Sequence, residues 1–272
     1  MAPLTAAPPA APRATRPSVL SGRALAQWKQ RRETPPMLSD WDRTLMVHYA
    51  VDPAELQPQI PFPLDLHGGV AYVSLVAFTL RGLRPRFLPV AARRLLRPVS
   101  EHGFLNLRTY VRVGKSPGIY FLAEWLPNRL SILLGPPIYG LPYRFGHLDY
   151  QHDHEHGRLD GRVDPGDEPE PLVYRYQGPP LEGFAPAERD TLNEFLLERY
   201  TAFTQRGRVR RRFDIWHRPW PQTRVEELDL IDDRLTRHTG PWRDAAQPVL
   251  AHYSPGVRDV WLGRPHRLRD AA

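Results

Sequence analysis

A chain of 272 residues can bury a substantial core as one large β-rich domain or two smaller ones, and the absence of cysteine excludes disulfides and thiolate sites. The formal charge of +7 rests on 37 basic residues, of which only Lys29 and Lys115 are lysines; beside so much Ala and Pro, that skew reads as coding bias as much as selection for phosphate contacts. No helix-turn-helix, zinc finger or RNA-binding signature accompanies Arg93-Arg94, Arg97 or Arg210-Arg211-Arg212, so nucleic acid is not an expected partner. No run approaches the roughly 18 apolar residues of a membrane span.

Residues 1–36 read as a tail, Ala/Pro-rich and disordered at first, then able to form a short helix from Ser21 to Glu33 that Pro35-Pro36 stops. The first 20 residues lack the continuous apolar stretch of a signal peptide, so the chain is expected to be soluble and cytoplasmic. Thr44–Val51 reads as a strand, and Asp52-Pro53 then starts a short helix with an acidic cap and proline in the first turn. Val70–Leu80 is apolar on both faces, as a central strand would be. The Arg/Pro-rich residues 82–103 are expected to form a surface loop.

Phe104–Val113 and Gly118–Trp125 read as a β-hairpin turning through Gly114-Lys-Ser-Pro-Gly118. In the first arm Leu105, Leu107, Thr109, Val111 and Val113 share one face, and Phe104, Asn106, Arg108, Tyr110 and Arg112 the other. That second face is either the wall of a polar cavity or a solvent-washed exterior. Asn128–Leu134 is expected as a short helix broken by Gly135-Pro136-Pro137, followed by a tight aromatic loop, Ile138–Phe145. His147–Asp164 reads as a polar hairpin turning at His156-Gly157, and Val173–Tyr176 as a continuation of the sheet. Ala185–Thr204 carries the clearest helical stripe, with Leu192, Phe195, Leu196, Tyr200 and Phe203 on one side. Val209–Trp216, Arg224–Leu230 and Val257–Leu262 are expected strands. Many strands, few helices and no βαβ rhythm favour a closed or strongly curved antiparallel sheet.

Four segments carry a family resemblance: Asn106–Val111 (Asn-Leu-Arg-Thr-Tyr-Val), Leu141-Pro-Tyr-Arg144, Phe195–Tyr200 (Phe-Leu-Leu-Glu-Arg-Tyr) and His217-Arg-Pro-Trp-Pro221. Together, and in this order, they resemble the YqjF-like family of uncharacterised bacterial proteins from about Trp41 to Leu262. The resemblance implies a mainly β (α+β) fold similar to acetoacetate decarboxylase: a curved, barrel-like antiparallel sheet with a few flanking helices around a central cavity. It divides the chain into a tail at 1–36, one domain at 37–264 and a tail at 265–272.

The decarboxylase chemistry implied by that superfamily needs a lysine that forms a Schiff base and is kept neutral by a neighbouring cation. The lysine pair there follows a Gly-x-Pro segment, and here Gly140-Leu141-Pro142 is followed by Tyr143 and Arg144, neither of which forms an imine. Lys115 falls in the expected turn. The family also carries an acidic residue two places before the Asn of its strand motif; here that place is Phe104. Glu124 is the substitute to consider, on the cavity side only if Tyr120 and Leu122 are there too.

The candidate ligand-binding set is therefore Asn106, Arg108, Tyr110, Tyr143 and Arg144, whose guanidiniums and phenols suit a carboxylate or phosphate, unless Arg108 pairs with a buried acid. Candidate acid/base groups are Glu124, Tyr143 and His48, the last equally readable as a hydrogen-bonded core histidine. His152, His154 and His156 would share a face if strand continued through them and could then chelate a metal, though they approach a turn. Trp216-His217-Arg-Pro-Trp220 reads as aromatic packing. The expected ligand is a small organic anion, with no cofactor; enzyme with acid/base chemistry, binding protein and interaction protein with a vestigial pocket all remain open, as does a homo-oligomer.

Overall fold

The computed structural model describes residues 16–87, 100–165, 171–231, 236 and 239–268. Helix α1 (Leu20–Arg31) leads into β1 (Met37–Val51), and Asp52 caps the short α2 (Pro53–Leu56) by accepting from the Ala54 N–H. The strands β2 (Ala71–Pro85), β3 (His102–Val113) and β4 (Ser116–Leu126) follow. Next come α3 (Arg129–Tyr139), β5 (Tyr143–Phe145), β6 (His147–Asp153), β7 (Arg158–Asp164) and β8 (Leu172–Gln177). A short α4 (Leu192–Leu197) precedes the hairpin β9 (Thr201–Arg206) and β10 (Val209–Trp216). The short β11 (Thr223–Arg224) and β12 (Asp229–Ile231), the long β13 (Gln247–Leu262) and β14 (His266–Arg267) complete the order.

The large sheet runs β11-β13-β1-β2-β3-β4-β9-β10-β14, with β5 beside β4. It is mixed, because β5 and β9 both lie parallel to β4 while its other ladders are antiparallel. β10 also pairs with β13 at Ile215↔Leu262 and Trp216↔Trp261, so the path bends back on itself. The second sheet is β12-β8-β7-β6. It packs Leu159, Val163, Leu172 and Tyr174 against Val47, Leu75, Leu107 and Trp125 on one face of the large sheet. The opposite face collects Met46, Val76, Phe78, Phe104, Tyr110 and Phe121, covered by Leu196 and Leu197 of α4 and by Trp220. Both faces of the central strands are therefore dry, which is why β2 reads as apolar on each side.

Several elements differ from the sequence expectation. The β3–β4 turn is Gly114-Lys115 alone, since Val113 already pairs with Ser116, and Gly114 takes the left-handed φ of 59°. Pro117 sits inside β4 opposite Arg112, whose N–H turns away to the Pro63 carbonyl (2.9 Å). Gly118 lies where a Cβ would fall 2.5 Å from the Thr201 carbonyl oxygen, so the parallel approach of β9 requires glycine. α3 does not break at Gly135-Pro136-Pro137. It buries no residue, so water can serve the carbonyls the prolines leave free, and it ends at Gly140, left-handed, donating to the Pro136 carbonyl.

The long helix expected over Ala185–Thr204 shrinks to α4, capped by Thr191 and ended by Glu198 at φ −100°, ψ 78°. Thr201, Ala202, Phe203 and Thr204 are all buried, and ladder bonds to β10 and β4 outweigh a local helical pattern there. The segment Arg224–Leu230 splits between two sheets, and Val173–Tyr176 belongs to the second sheet. The disordered-tail expectation falls largely on residues 1–15 and the loop expectation on 88–99, both outside the described residues. Ser18 donates to the Ala187 carbonyl, and Trp28 of α1 meets Trp261 edge-on at 5.7 Å, so the described part of the first segment packs onto the fold.

Candidate functional site

The face of the large sheet under α4 carries the polar side chains. Adjacent-strand register lines up His48 with Ser74 and Ser74 with Arg108, while Asn106 faces Glu124 and Glu124 faces Tyr143. All of Phe104, Asn106, Arg108 and Tyr110 are buried, so this is an interior wall and not a washed exterior.

Glu124 reaches that wall by a route the alternation of β4 hides. The ladder slips between Leu107 and Arg108, which pair with Ala123 and Phe121, leaving Leu122 as the extra residue of a bulge. Phe121 and Glu124 thus share a face, whereas Tyr120 and Leu122 pack against the opposite core. The condition that Glu124 point inward only with Tyr120 and Leu122 is corrected by this one irregularity. Glu124 is 3% exposed and its Oε2 makes no hydrogen bond among the described residues, nor does Asn106 Oδ1. Burial pushes the Glu124 carboxyl well above the carboxylate range, favouring its protonated form. Tyr143 is likewise pushed up, first by burial and then by Glu124.

Arg108 is 6% exposed, and its guanidinium meets one partner, the Leu196 carbonyl at 3.4 Å from Nη2; Nε is unpaired. No carboxylate pairs with it among the described residues. The buried arginine–acid pair exists one turn away, where Asp65 (5% exposed) accepts from Arg199 Nη1 at 2.7 Å and Arg112 Nε at 2.9 Å. Arg144 lies outside the wall: alternation in β5 sends it outward, exposed, 5.6 Å over the Trp125 ring. Lys115 is exposed in the hairpin turn, and no imine-forming lysine lines the wall among the described residues.

His48 is fully buried and its Nδ1 lies 2.6 Å from Ser74 Oγ, which lies 2.6 Å from Tyr110 Oη; Tyr110 donates to the Leu196 carbonyl at 2.9 Å. On the other side His48 Nε2 meets His252 Nδ1 at 3.1 Å. Burial, then His252 and Arg108, hold His48 well below the ordinary imidazole range, and burial with Arg224 brings His252 down to about 4. His252 and Ser74 are residues that sequence reasoning missed; the only strand expected in this region began at Val257, so the alternation through Ala251, His252 and Tyr253 went unread.

The three histidines considered as metal ligands do not converge. Strand ends at Asp153, and His154–His156 forms a 3-10 turn, which destroys the shared face. His152 is buried between the Arg43 carbonyl (2.6 Å) and the Tyr174 hydroxyl (2.6 Å), His154 packs on Tyr253, and exposed His156 pairs with Asp153. No group of three metal-ligating side chains occurs among the described residues. A separate cleft of about 480 Å³ lies between residues 176–182 and 223–227, apart from every side chain of the interior wall.

Beside the wall, Glu198 is buried, accepting from the Tyr200 hydroxyl and the Trp220 N–H (3.0 Å), and Tyr200 stacks on His217. Trp220 stacks on Trp41 at 6.0 Å, the aromatic packing expected of that segment. Burial raises Glu198 from 4.5 to about 7. Between those two values the native state binds the extra proton, so stability falls as pH rises from about 4.5 through 7. Denaturant titrations of wild type and Glu198→Gln over that range should show the variant gaining on wild type with rising pH; parallel curves refute the shift. His152, His217 and His252, lowered to about 4, act in the opposite sense, adding stability as pH climbs from 4 to 6.5.

The curved mixed sheet with few helices is the fold of acetoacetate decarboxylase-like proteins, solved structures of which superpose on this chain. An acetoacetate decarboxylase-like enzyme from Sphingomonas wittichii RW1 matches with a TM-score of 0.58 at 13% identity, covering 88% of this chain and 95% of that one. The enduracididine biosynthesis enzyme MppR complexed with pyruvate matches with 0.58 at 15% identity, over 88% and 93%. Acetoacetate decarboxylase from Legionella pneumophila matches with 0.56 at 13% identity, over 87% and 88%. Residues 39–258 match the DUF2071 family model, described as an uncharacterized conserved protein, and the chain belongs to that family. The uncharacterized protein YqjF of Bacillus subtilis (strain 168) is 31% identical over 220 residues, 80% of this chain and 87% of the relative. No helix among the described residues is long and apolar enough to cross a membrane.

Proposed function

We propose that the interior wall holds a small organic anion of the carboxylate or keto-acid type, residues 37–264 acting as one cytoplasmic ligand-binding domain. The observation that carries this reading is Arg108, a buried guanidinium whose sole described partner is a neutral carbonyl. A buried charge without a counter-ion is costly, and a ligand carboxylate would supply one in forked geometry. One strand repeat away, roughly 7 Å along β3, the Asn106 amide, and Glu124 in the protonated form that burial favours, would offer donors to a carbonyl oxygen, with Tyr143 beside them. The MppR neighbour was solved in complex with pyruvate, which favours the keto-acid class. With Tyr143 and Arg144 following Pro142, Schiff-base decarboxylation is not part of the proposal.

A second reading, an enzyme using acid/base chemistry on such an anion, is favoured by Glu124, a buried carboxyl whose proton affinity burial raises, in an interior where a substrate oxygen would need a proton. Native mass spectrometry and a thermal-shift screen of pyruvate, longer keto acids and plain carboxylates test the binding proposal. Stabilisation by a carboxylate in wild type, lost in Arg108→Met, is the expected result. A screen without any shift, or an equal shift in both proteins, refutes it.

A further inference from the structure

The buried chain from Leu196 to His252 has a direction that the heavy-atom positions alone determine. The Leu196 carbonyl can only accept, so the single Tyr110 hydroxyl proton points to it. Tyr110 Oη must then accept from Ser74, whose one proton is thereby used. Ser74 Oγ accordingly accepts from His48, which places the His48 proton on Nδ1 and leaves Nε2 as a lone pair. That lone pair accepts from His252 Nδ1–H. Each contact in the series is satisfied by one arrangement of protons, and it leaves His252 Nε2 as a bare acceptor.

His252 is 1% exposed, and its Nε2 makes no hydrogen bond among the described residues. It lies on the same face as His48, Ser74 and Arg108, opposite Met46 and so two residues from His48 along the β1–β13 ladder. A buried acceptor left open is costly, a cost that a protic ligand group would remove. The series cannot conduct a proton, because a peptide carbonyl ends it; it works as a tautomer lock. Nor is His252 suited to hold a proton, since burial and Arg224 disfavour its charged form.

We propose that His252 Nε2 is the acceptor for a hydroxyl of the ligand, its tautomer locked through His48, Ser74 and Tyr110 by the Leu196 carbonyl, so that the interior prefers hydroxy acids to plain acids. The inference rests on the anion-binding reading above and narrows its ligand class. Arg108 takes the carboxylate, and the hydroxyl donates to His252 in place of a base-catalysed step there.

Two measurements test this. Long-range ¹H–¹⁵N correlations of ¹⁵N-labelled protein at neutral pH, assigned with single-histidine variants, should show His48 and His252 both neutral and both protonated at Nδ1. Calorimetric titrations then compare terminal hydroxy acids, from glycolate to ω-hydroxyhexanoate, with unsubstituted acids of equal length. In wild type the best hydroxy acid should bind about tenfold more tightly than its unsubstituted partner, the equivalent of one well-made hydrogen bond. His252→Asn places an amide N–H where Nδ1 stood, preserving the contact to His48 while deleting the acceptor. There the difference should shrink to about twofold or less, with unsubstituted acids unaffected. Protonation of His252 at Nε2, or equal binding of both acids by wild type, overturns the assignment and leaves the anion site standing. Failure of every acid to bind overturns both.

Discussion

Asp65→Ala is expected to cost about 3–5 kcal/mol of folding free energy, the range for removing one partner of a buried ion pair. Asp65 holds Arg199 at 2.7 Å with both side chains about as buried as any charge in the fold, 5% and 6% exposed. It also takes Arg112 at 2.9 Å through the same carboxylate, and its backbone N–H reaches the Tyr110 carbonyl at 2.9 Å. The alanine variant strands the Arg199 guanidinium between the rings of Phe195 and Tyr110, 4.1 and 5.1 Å from their centroids. Urea unfolding monitored by tryptophan fluorescence gives the number directly. A loss below about 1 kcal/mol, the worth of an exposed pair, would show that solvent reaches the site.

Arg108→Met should act in the other direction, raising stability by about 1–4 kcal/mol while removing carboxylate binding. Replacing buried ionic groups by apolar side chains of similar volume is often neutral or stabilising by that amount, and Arg108 has no ion-pair partner among the described residues whose loss would offset the gain. Methionine is unbranched and fills irregular space, so it suits the buried site of Arg108 near the Leu196 carbonyl. The same unfolding assay decides: a destabilised variant would mean that the Leu196 contact makes Arg108 a structural strut. The contrast between two arginines in one core is the sharper result. Arg199 is held for the fold, and Arg108 is tolerated at the fold's expense.

The alternation of Phe104, Asn106, Arg108 and Tyr110 against Leu105 and Leu107 was legible because β3 is regular from end to end on that face. Glu124 was not assignable to a face, since a single bulge residue reverses every parity argument downstream of it. Arg144 shows the same logic at short range: it neighbours Tyr143 in sequence, yet β5 alternation puts the two on opposite sides. The helical stripe of Phe195, Leu196, Tyr200 and Phe203 is real as a pattern. Its second half serves a strand, because burial on both faces was available there and periodicity cannot report it. In β13, Pro248 and the Pro255-Gly256 step masked a 16-residue strand. Gly256, at φ 123°, lies against the Trp41 carbonyl, an approach that no other residue permits. The histidine pair depended on that strand and vanished from view with it.

The Leu196 carbonyl receives both Tyr110 and Arg108, so among the described residues the guanidinium is balanced by a peptide dipole and no carboxylate. Burial disfavours the charged forms of His48, His252 and Glu124 beside it. The whole polar lining therefore carries the undiminished charge of Arg108, insulated by apolar walls from the ions of the solvent. On the proposed anion-binding reading, such an interior would sort visitors by sign before it sorted them by shape. A neutral amide or ester of the right size would forgo the one attraction that outweighs its own dehydration.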